Sequence, residues 1–323
     1  MALRQGLSVD TVYVGGGTPS LLNFEQWETL MSGLINHFNL AADLEFTVEC
    51  NPENVSMPLL NVLKGAGVNR LSLGLQTTQN ELLEKIGRTH TWENFLQAYA
   101  NCRASGFKNI NVDLMFGLPG QTFADWQETV RRVLALRPDH LTFYPLDVEK
   151  RSAFYFDGVQ TDSDLQADMY EWSWNVIDSA GYDHYEIFSY ALPHHRCRHN
   201  IKYWTNQPCV GLGLSAAGYD GVARYRNTEK FDDYLNLLDR GLLPIVDSES
   251  LPAEDKLRES MLVGLRLKEG LKYTPEIEGL FGPVLQRLAT QGYLRIAQNQ
   301  RRVTATCKGW LLSNYVYSEL LAN

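Results

Sequence analysis

No apolar run in this 323-residue chain is long enough to span a bilayer, and the opening residues, MALRQGLSVD, lack the basic, apolar and small-residue succession of a secretory leader. The expected compartment is the cytoplasm. Basic residues are also in short supply: 29 Lys and Arg face 38 Asp and Glu, for a formal charge of −9. Phosphate backbones are held by clustered cations, so this balance argues against a nucleic-acid partner and leaves small molecules or proteins. Cysteine is scarce and scattered. Cys50, Cys102, Cys197, Cys209 and Cys307 are odd in number and never stand in a C-x-x-C or similar group, which excludes a disulfide frame and a metal site built from cysteines alone. They read as reduced thiols, mostly buried.

What is present is an ordinary globular composition, 44% hydrophobic and 21% charged, with chain enough for one large domain and a smaller one. The first half repeats a short β-branched run, a Gly, Pro or Asn punctuation and an amphipathic stretch, the rhythm of βα units. Strands are expected at Thr11–Val14, Leu44–Glu49, Arg70–Gln76, Asn109–Phe116 and His140–Leu146. Helices are expected at Phe24–His37, Trp92–Ser105 and Phe123–Leu136, with Thr91 and Thr122 as N-caps. Parallel strands joined by helices build either a doubly wound sheet or a barrel, and both bind ligands at the carboxyl ends of their strands. After Leu146 the rhythm loosens into an aromatic-rich segment. From Asp255 a mainly helical unit follows, with helices at Asp255–Leu267 and Pro283–Thr290 and a hairpin of Tyr293–Ala297 and Arg302–Ala305. The expected division is 1–150 for the parallel unit, 151–250 for the aromatic-rich linker region and 251–323 for a winged-helix-like module.

The stretch TVYVGGGTPSLL, residues 11–22, places three glycines at the end of a strand. Glycines there expose backbone N–H groups and remove the Cβ atoms that would obstruct an anionic or zwitterionic ligand, although a tight structural turn reads the same way. Glu49, Gln76, Arg88 and Asp113 stand near other strand ends of the same rim. Singly, each suits a cap or a surface ion pair; together they offer donors and acceptors to a ligand carrying an amine, a carboxylate and a ribose.

VYVGGGTPSLL, VECNPE, RLSLGLQ, LLEKIGRTH, GFKNINVDLMFGLPGQT and RHNIKYW follow one another in an order and spacing that resemble the oxygen-independent coproporphyrinogen III oxidase-like radical S-adenosylmethionine proteins, and within them the HemW-type heme chaperones. The resemblance runs nearly end to end. It implies an α/β fold, a partial (β/α)6 TIM-like barrel of the radical S-adenosylmethionine type followed by the mainly helical C-terminal module. It implies S-adenosylmethionine contacts at Gly16, Gly17, Thr18, Glu49, Gln76, Arg88 and Asp113. It also implies a [4Fe–4S] cluster on a C-x-x-x-C-x-x-C loop, which the five cysteines of this chain cannot supply. Ala2–Ser8 read as the end of a helix leading from a missing first βα unit; a late start or a fragment is favoured over a shortened relative, because an opened barrel exposes an edge.

The heme side of the resemblance rests on His199-Asn200-Ile201-Lys202-Tyr203-Trp204, the H-N-x-x-Y-W motif of the chaperones, with His199 as the implied heme contact. An imidazole is a competent axial ligand, and a core histidine with aromatic packing is the bland alternative. The neighbouring His194, His195, Cys197 and His199 offer zinc-type ligands without a matching distant pair. Ala217 stands where the resemblance leads one to expect a histidine in G-x-G-x-G-A-H. The implied function is to bind heme and hand it to an apo-hemoprotein, with peripheral membrane association through that recipient and a homodimer as further expectations. The alternatives are an oxygen-independent coproporphyrinogen III oxidase, disfavoured by HNIKYW, and a degenerate S-adenosylmethionine-binding protein without redox chemistry.

Overall fold

Every strand of the first half alternates apolar and polar residues, and that alternation decides the architecture. The computed structural model describes residues 8–150, 152–297 and 299–322. They divide in sequence into two compact units, between Arg196 and Cys197.

The first unit runs β1 (Ser8–Val14), α1 (Phe24–His37), β2 (Asn39–Cys50), α2 (Met57–Gly65), β3 (Arg70–Gln76), α3 (Asn80–Lys85), α4 (Trp92–Ala104), β4 (Ile110–Phe116), α5 (Phe123–Ala135), β5 (His140–Pro145), α6 (Ala153–Phe156), α7 (Ser163–Ser179), β6 (Asp183–Glu186) and β7 (Ser189–Ala191). Strands β1 to β5 are parallel and lie side by side in chain order; β7 runs antiparallel to β5, and β6 antiparallel to β7, completing the seven-stranded sheet. A doubly wound sheet reverses its strand order at a switch point. This one does not, and its strands, kept in unbroken chain order, form a curled half-barrel.

The helices start where their caps allow. Thr91 and Thr122 accept hydrogen bonds from the backbone N–H groups of Asn94 and Asp125, whose side chains reach back in reciprocal capping boxes. One face of the sheet, with Phe46, Val48, Leu71, Leu73, Val112, Leu114, Leu141 and Phe143, is completely buried. Trp126 of α5 packs edge-on to Phe143 at a centroid distance of 5.1 Å and against Phe116 at 5.4 Å, so the helix layer covers that face. The other face is polar and carries the candidate site.

Two expectations change here. Ser8 is already strand, so the helix end expected over Ala2–Ser8 does not include it, and residues 2–7 lie outside the described residues. The aromatic-rich segment is not a linker throughout: α7, capped by Asp162, accepts the Trp126 indole N–H on Ser173, and the β6–β7 pair joins the sheet, with Phe143 N–H bonded to the Phe188 carbonyl. These strands are four and three residues long, too short to show a period.

The second unit contains α8 (Arg198–Trp204), an antiparallel sheet of β8 (Ala217–Tyr219), β9 (Ala223–Asn227) and β10 (Ile245–Ser250), with α9 (Phe231–Asp239) between the last two in sequence. It continues with α10 (Ala253–Gly264), β11 (Leu271–Lys272), α11 (Pro275–Thr290), β12 (Leu294–Ala297), β13 (Arg302–Ala305), α12 (Cys307–Leu311) and α13 (Ser313–Leu321). The expected hairpin is present, and β11 joins its outer side. Helix α11 begins eight residues before the expected Pro283, because Thr274 caps it with Pro275 at the first helical position. Pro283 is carried inside the helix, where the residue four before it is Gly279, with open space around it. Met261, Phe281, Leu285, Leu288, Val303 and Leu320 form the buried core.

Candidate functional site

Strand register assembles the polar face row by row. Glu49 stands opposite Ser72, Ser72 opposite Asn111, and Asn111 opposite His140. One step toward the carboxyl ends, Gly74, Asp113 and Thr142 form the next row. Because side chains alternate with a period of two, all of these project to one side. Fully paired parallel strands are ordinarily apolar on both faces, so a continuous polar row singles this face out as the candidate site.

At the rim, Glu49 organises the glycine turn. Its Oε1 accepts from the Tyr13 hydroxyl at 2.8 Å and its Oε2 from the Gly16 N–H at 3.1 Å. A Cβ on Gly15 would stand 2.9 Å from three atoms of that carboxylate, so only glycine lets the turn close over it. Gly16 and Gly17 have φ of +76° and +50°, and nothing lies within 4 Å of where their Cβ atoms would be. Thr18 leads into the 3-10 turn Pro19–Leu21, its carbonyl accepting from the Leu21 N–H.

Gly74 has a similar role one strand further on. Gln76 Nε2, Asn51 Oδ1 and an Arg88 guanidinium nitrogen would lie 3.2, 3.8 and 3.9 Å from its added Cβ, so three polar groups gather over bare backbone. Arg88 donates to Asn51 Oδ1 at 3.1 Å, and the Tyr144 hydroxyl donates to Gln76 Oε1 at 2.7 Å. Gln76 holds φ at +73°, which costs a non-glycine residue about 1–3 kcal/mol. That strain coincides with the register shift after Gly74 and turns the side chain to the rim.

Asp113 is anchored from below. Its Oδ2 accepts from Ser72 Oγ at 2.9 Å and its Oδ1 from Asn111 Nδ2 at 2.8 Å. The amide oxygen of Asn111 then faces Thr142 Oγ1 and His140 Nδ1, and His140 Nε2 meets the Tyr185 hydroxyl at 2.8 Å. Burial, and next the charges of Arg70 and His195, hold the His140 imidazole well below its ordinary value. The Asp113 carboxyl is pushed up by burial and by the Glu49 charge, against the opposing pull of its two hydrogen bonds. The Tyr13 phenol is raised by burial first and then by Glu49 and Asp113, and the Tyr144 phenol by burial first and then by Asp113. The rim is therefore an acidic field, set by Glu49 and Asp113 and tempered by Arg70 and Arg88.

The structure thus brings Gly16 together with Glu49, Gln76 with Arg88 over Gly74, and Asp113 into the range of Glu49's charge. Sequence reasoning missed Tyr13, Ser72, Asn111, His140, Tyr144 and Tyr185. Their signal was the polar alternation of RLSLG and NVD inside parallel strands. His199 belongs to the second unit, in α8. It is 9% exposed, and its Nε2 lies 2.9 Å from the hydroxyl of Tyr203, one helical turn on. The thiol of Cys209 lies 3.8 Å from the same hydroxyl. Burial raises both the Tyr203 phenol and the Cys209 thiol.

The residues present test the implied groups differently. The open, glycine-floored acidic rim fits a ligand with cationic and hydrogen-bonding groups. The imidazole of α8, with a phenol and a thiol beside it, fits an iron porphyrin. Among the described residues no group of three or more His, Cys, Asp or Glu is placed to hold a metal ion. Nor do these residues fit a [4Fe–4S] cluster: Cys50 and Cys102 are buried thiols, and burial pushes Cys102 up to about 12.

The radical SAM superfamily matches residues 1–133, and the HemN C-terminal domain matches residues 251–312. The heme chaperone HemW of Bacillus subtilis is 36% identical over 96% of this chain and 85% of its own length. The heme chaperone HemW of Escherichia coli is 33% identical over 97% of this chain and 85% of its own. Among solved structures, the coproporphyrinogen III oxidase HemN of Escherichia coli, a radical SAM enzyme, superposes with a TM-score of 0.83 over 97% of this chain and 78% of its own, at 23% identity. At that identity the likeness speaks for the fold alone, whereas the HemW relatives speak for descent. The chain belongs to the HemW heme chaperone family of the radical SAM superfamily.

Proposed function

We propose that this chain is a heme chaperone: it binds heme at the α8 segment through His199 and passes it to apo-hemoproteins, with S-adenosylmethionine held on the half-barrel rim. The observation that carries the reading is kinship with heme chaperones at 33–36% identity across 84–85% of their lengths. The HNIKYW segment supports it locally, since one turn of α8 sets an imidazole against a phenol. The chain has no helix long and apolar enough to cross a membrane among its described residues.

On the rim, Glu49 and Asp113 supply the negative field that an ammonium and a sulfonium require. Gly16, Gly17 and Thr18 leave the backbone accessible, and Arg88 and Gln76 stand where a carboxylate and ribose hydroxyls would find partners. Bound there, S-adenosylmethionine would serve assembly or switching of the chaperone.

Hemin titration of the full chain, followed by transfer to a b-type apo-cytochrome, tests the chaperone reading. Saturable binding weakened by His199→Ala, with transfer to the acceptor, is the expected result. Unsaturable uptake, equal in wild type and variant, overturns it. Calorimetric titration with S-adenosylmethionine tests the rim, where Glu49→Gln is expected to weaken binding.

A further inference from the structure

The heme reading uses the imidazole of α8 and leaves the thiol beside it without a role. Three side chains of different iron-ligand types converge on one point. The Tyr203 hydroxyl lies 2.9 Å from His199 Nε2 and 3.8 Å from Cys209 Sγ. Imidazole, phenolate and thiolate are the side chains that ligate heme iron most strongly. Of the five cysteines, Cys50, Cys102 and Cys197 are buried, while Cys209 and Cys307 retain partial solvent access, and of these two Cys209 is the one that lies in the His199 cluster.

The backbone fixes the thiol's position. Cys209 exchanges two hydrogen bonds of 2.8 Å with Tyr219 in an isolated antiparallel bridge at the end of β8. Directly opposed residues of such a pair point to the same side, and so do residues two apart on a strand. Cys209 therefore shares a face with Tyr219 and with Ala217. The chain that follows is apolar and outward: Val210, Leu212 and Leu214 are all exposed. Gly211 between them is pressed so closely on the Ala217 backbone that a Cβ would lie 2.2 Å from the Ala217 carbonyl oxygen. A rigid thiol, a neighbouring imidazole and an exposed apolar edge are what a metal-centred, flat hydrophobic ligand requires.

The geometry points to Cys209 as an iron ligand at the His199 heme site. This rests on the heme reading above and deepens it. On ligation of ferric heme the Cys209 S–H bond breaks heterolytically, an Fe–S bond forms, and the proton passes to water; the iron stays ferric. The Sγ to Tyr203 contact gives way, and the Tyr203 hydroxyl keeps its partner in His199.

The test is hemin titration of the full chain with ferric absorption, low-spin electron paramagnetic resonance and the ferrous–carbonyl spectrum, on wild type, Cys209→Ser and Cys307→Ser. The expected result is a thiolate signature, with its red-shifted ferrous–carbonyl Soret band, in wild type and Cys307→Ser and its loss in Cys209→Ser. Far-ultraviolet circular dichroism checks that each variant is folded, and Cys209→Ala repeats the test if the serine variant is not. Saturable heme binding with identical, histidine-type spectra in wild type and Cys209→Ser overturns the ligand assignment and leaves the heme reading intact. If wild type takes up no heme saturably, the heme reading fails and the assignment falls with it.

Discussion

Acid is expected to weaken the half-barrel in part through the His140 imidazole. It is fully buried, and its two nitrogens are engaged by Asn111 Oδ1 at 2.6 Å and the Tyr185 hydroxyl at 2.8 Å. Asn111 donates its amide to Ser72 and Asp113, so its oxygen must accept from Nδ1 of a neutral ring. Protonation would put an uncompensated charge beside Arg70 in a dry site, and the folded-state value is depressed far below 6.5 for that reason. Below its ordinary value the unfolded chain binds a proton that the folded chain refuses, so this contribution to stability is complete above that value and is lost as pH falls. The loss is about 1.4 kcal/mol per pH unit and reaches about 2 kcal/mol near pH 5. Asparagine can keep the Nδ1 bond to Asn111 without titrating. Urea unfolding of wild type and His140→Asn between about pH 7.5 and about pH 5 is then expected to show the wild-type advantage shrinking by about 2 kcal/mol. His90, also depressed by burial, and Asp113 titrate in both proteins and cancel. A stability difference that is constant across that range refutes the reasoning.

Other residues of the site and core make further tests. Gly15→Ala places a Cβ 2.9 Å from the Glu49 carboxylate without requiring a positive φ, and it is expected to cost about 1–3 kcal/mol by displacing Glu49 from Tyr13 and Gly16. An unchanged thermal melt would show that the turn does not close on Glu49. Asp113 has a raised carboxyl, so the folded state holds its proton longer than the unfolded chain, and stability falls as pH rises from the ordinary carboxylate range through the raised value. Asp113→Asn is expected to remove that fall, and equal slopes in a pH series of urea midpoints would count against it. In the C-terminal unit, Phe281, 1% exposed beneath the Arg258 guanidinium, is expected to cost about 3–5 kcal/mol on Phe281→Ala, read by chemical denaturation.

The parallel half of the fold was legible because its signals are local. Arg70–Gln76 and Phe24–His37 match the observed elements residue for residue, and the Thr91 and Thr122 caps are where the sequence places them. The choice between a doubly wound sheet and a barrel was not local. It depends on which strands become neighbours, and only the unbroken order β1 to β5 resolves it. α7 went unread in a segment dominated by aromatics, though Asp162 caps it. On the rim, Glu49 and Asp113 were visible as polar strand ends. The groups that hold them, Tyr13, Ser72 and Asn111, were not, since each looks like an ordinary strand residue until register sets it beside a carboxylate.

That register explains why a rim with strained and raised groups can persist. Gln76, in a disfavoured backbone region, is held by the Tyr144 hydroxyl, and Asp113, in a disfavoured environment, would not stay without support from deeper in the sheet. Ser72, Asn111, Thr142, His140 and Tyr185 provide it as a chain of hydrogen bonds lying across β3, β4 and β5 and on to the β6 end. Each member takes the place of an apolar side chain that would stabilise the strand more simply. A sheet that retains such a row on one face, and a gapless apolar layer on the other, has its helices fixed by the second and its ligand groups oriented by the first. Replacement of the polar row together with Asp113 by well-packed apolar residues should therefore raise stability or leave it unchanged, and loss of ligand affinity without loss of fold is the signature that separates this arrangement from mere core packing.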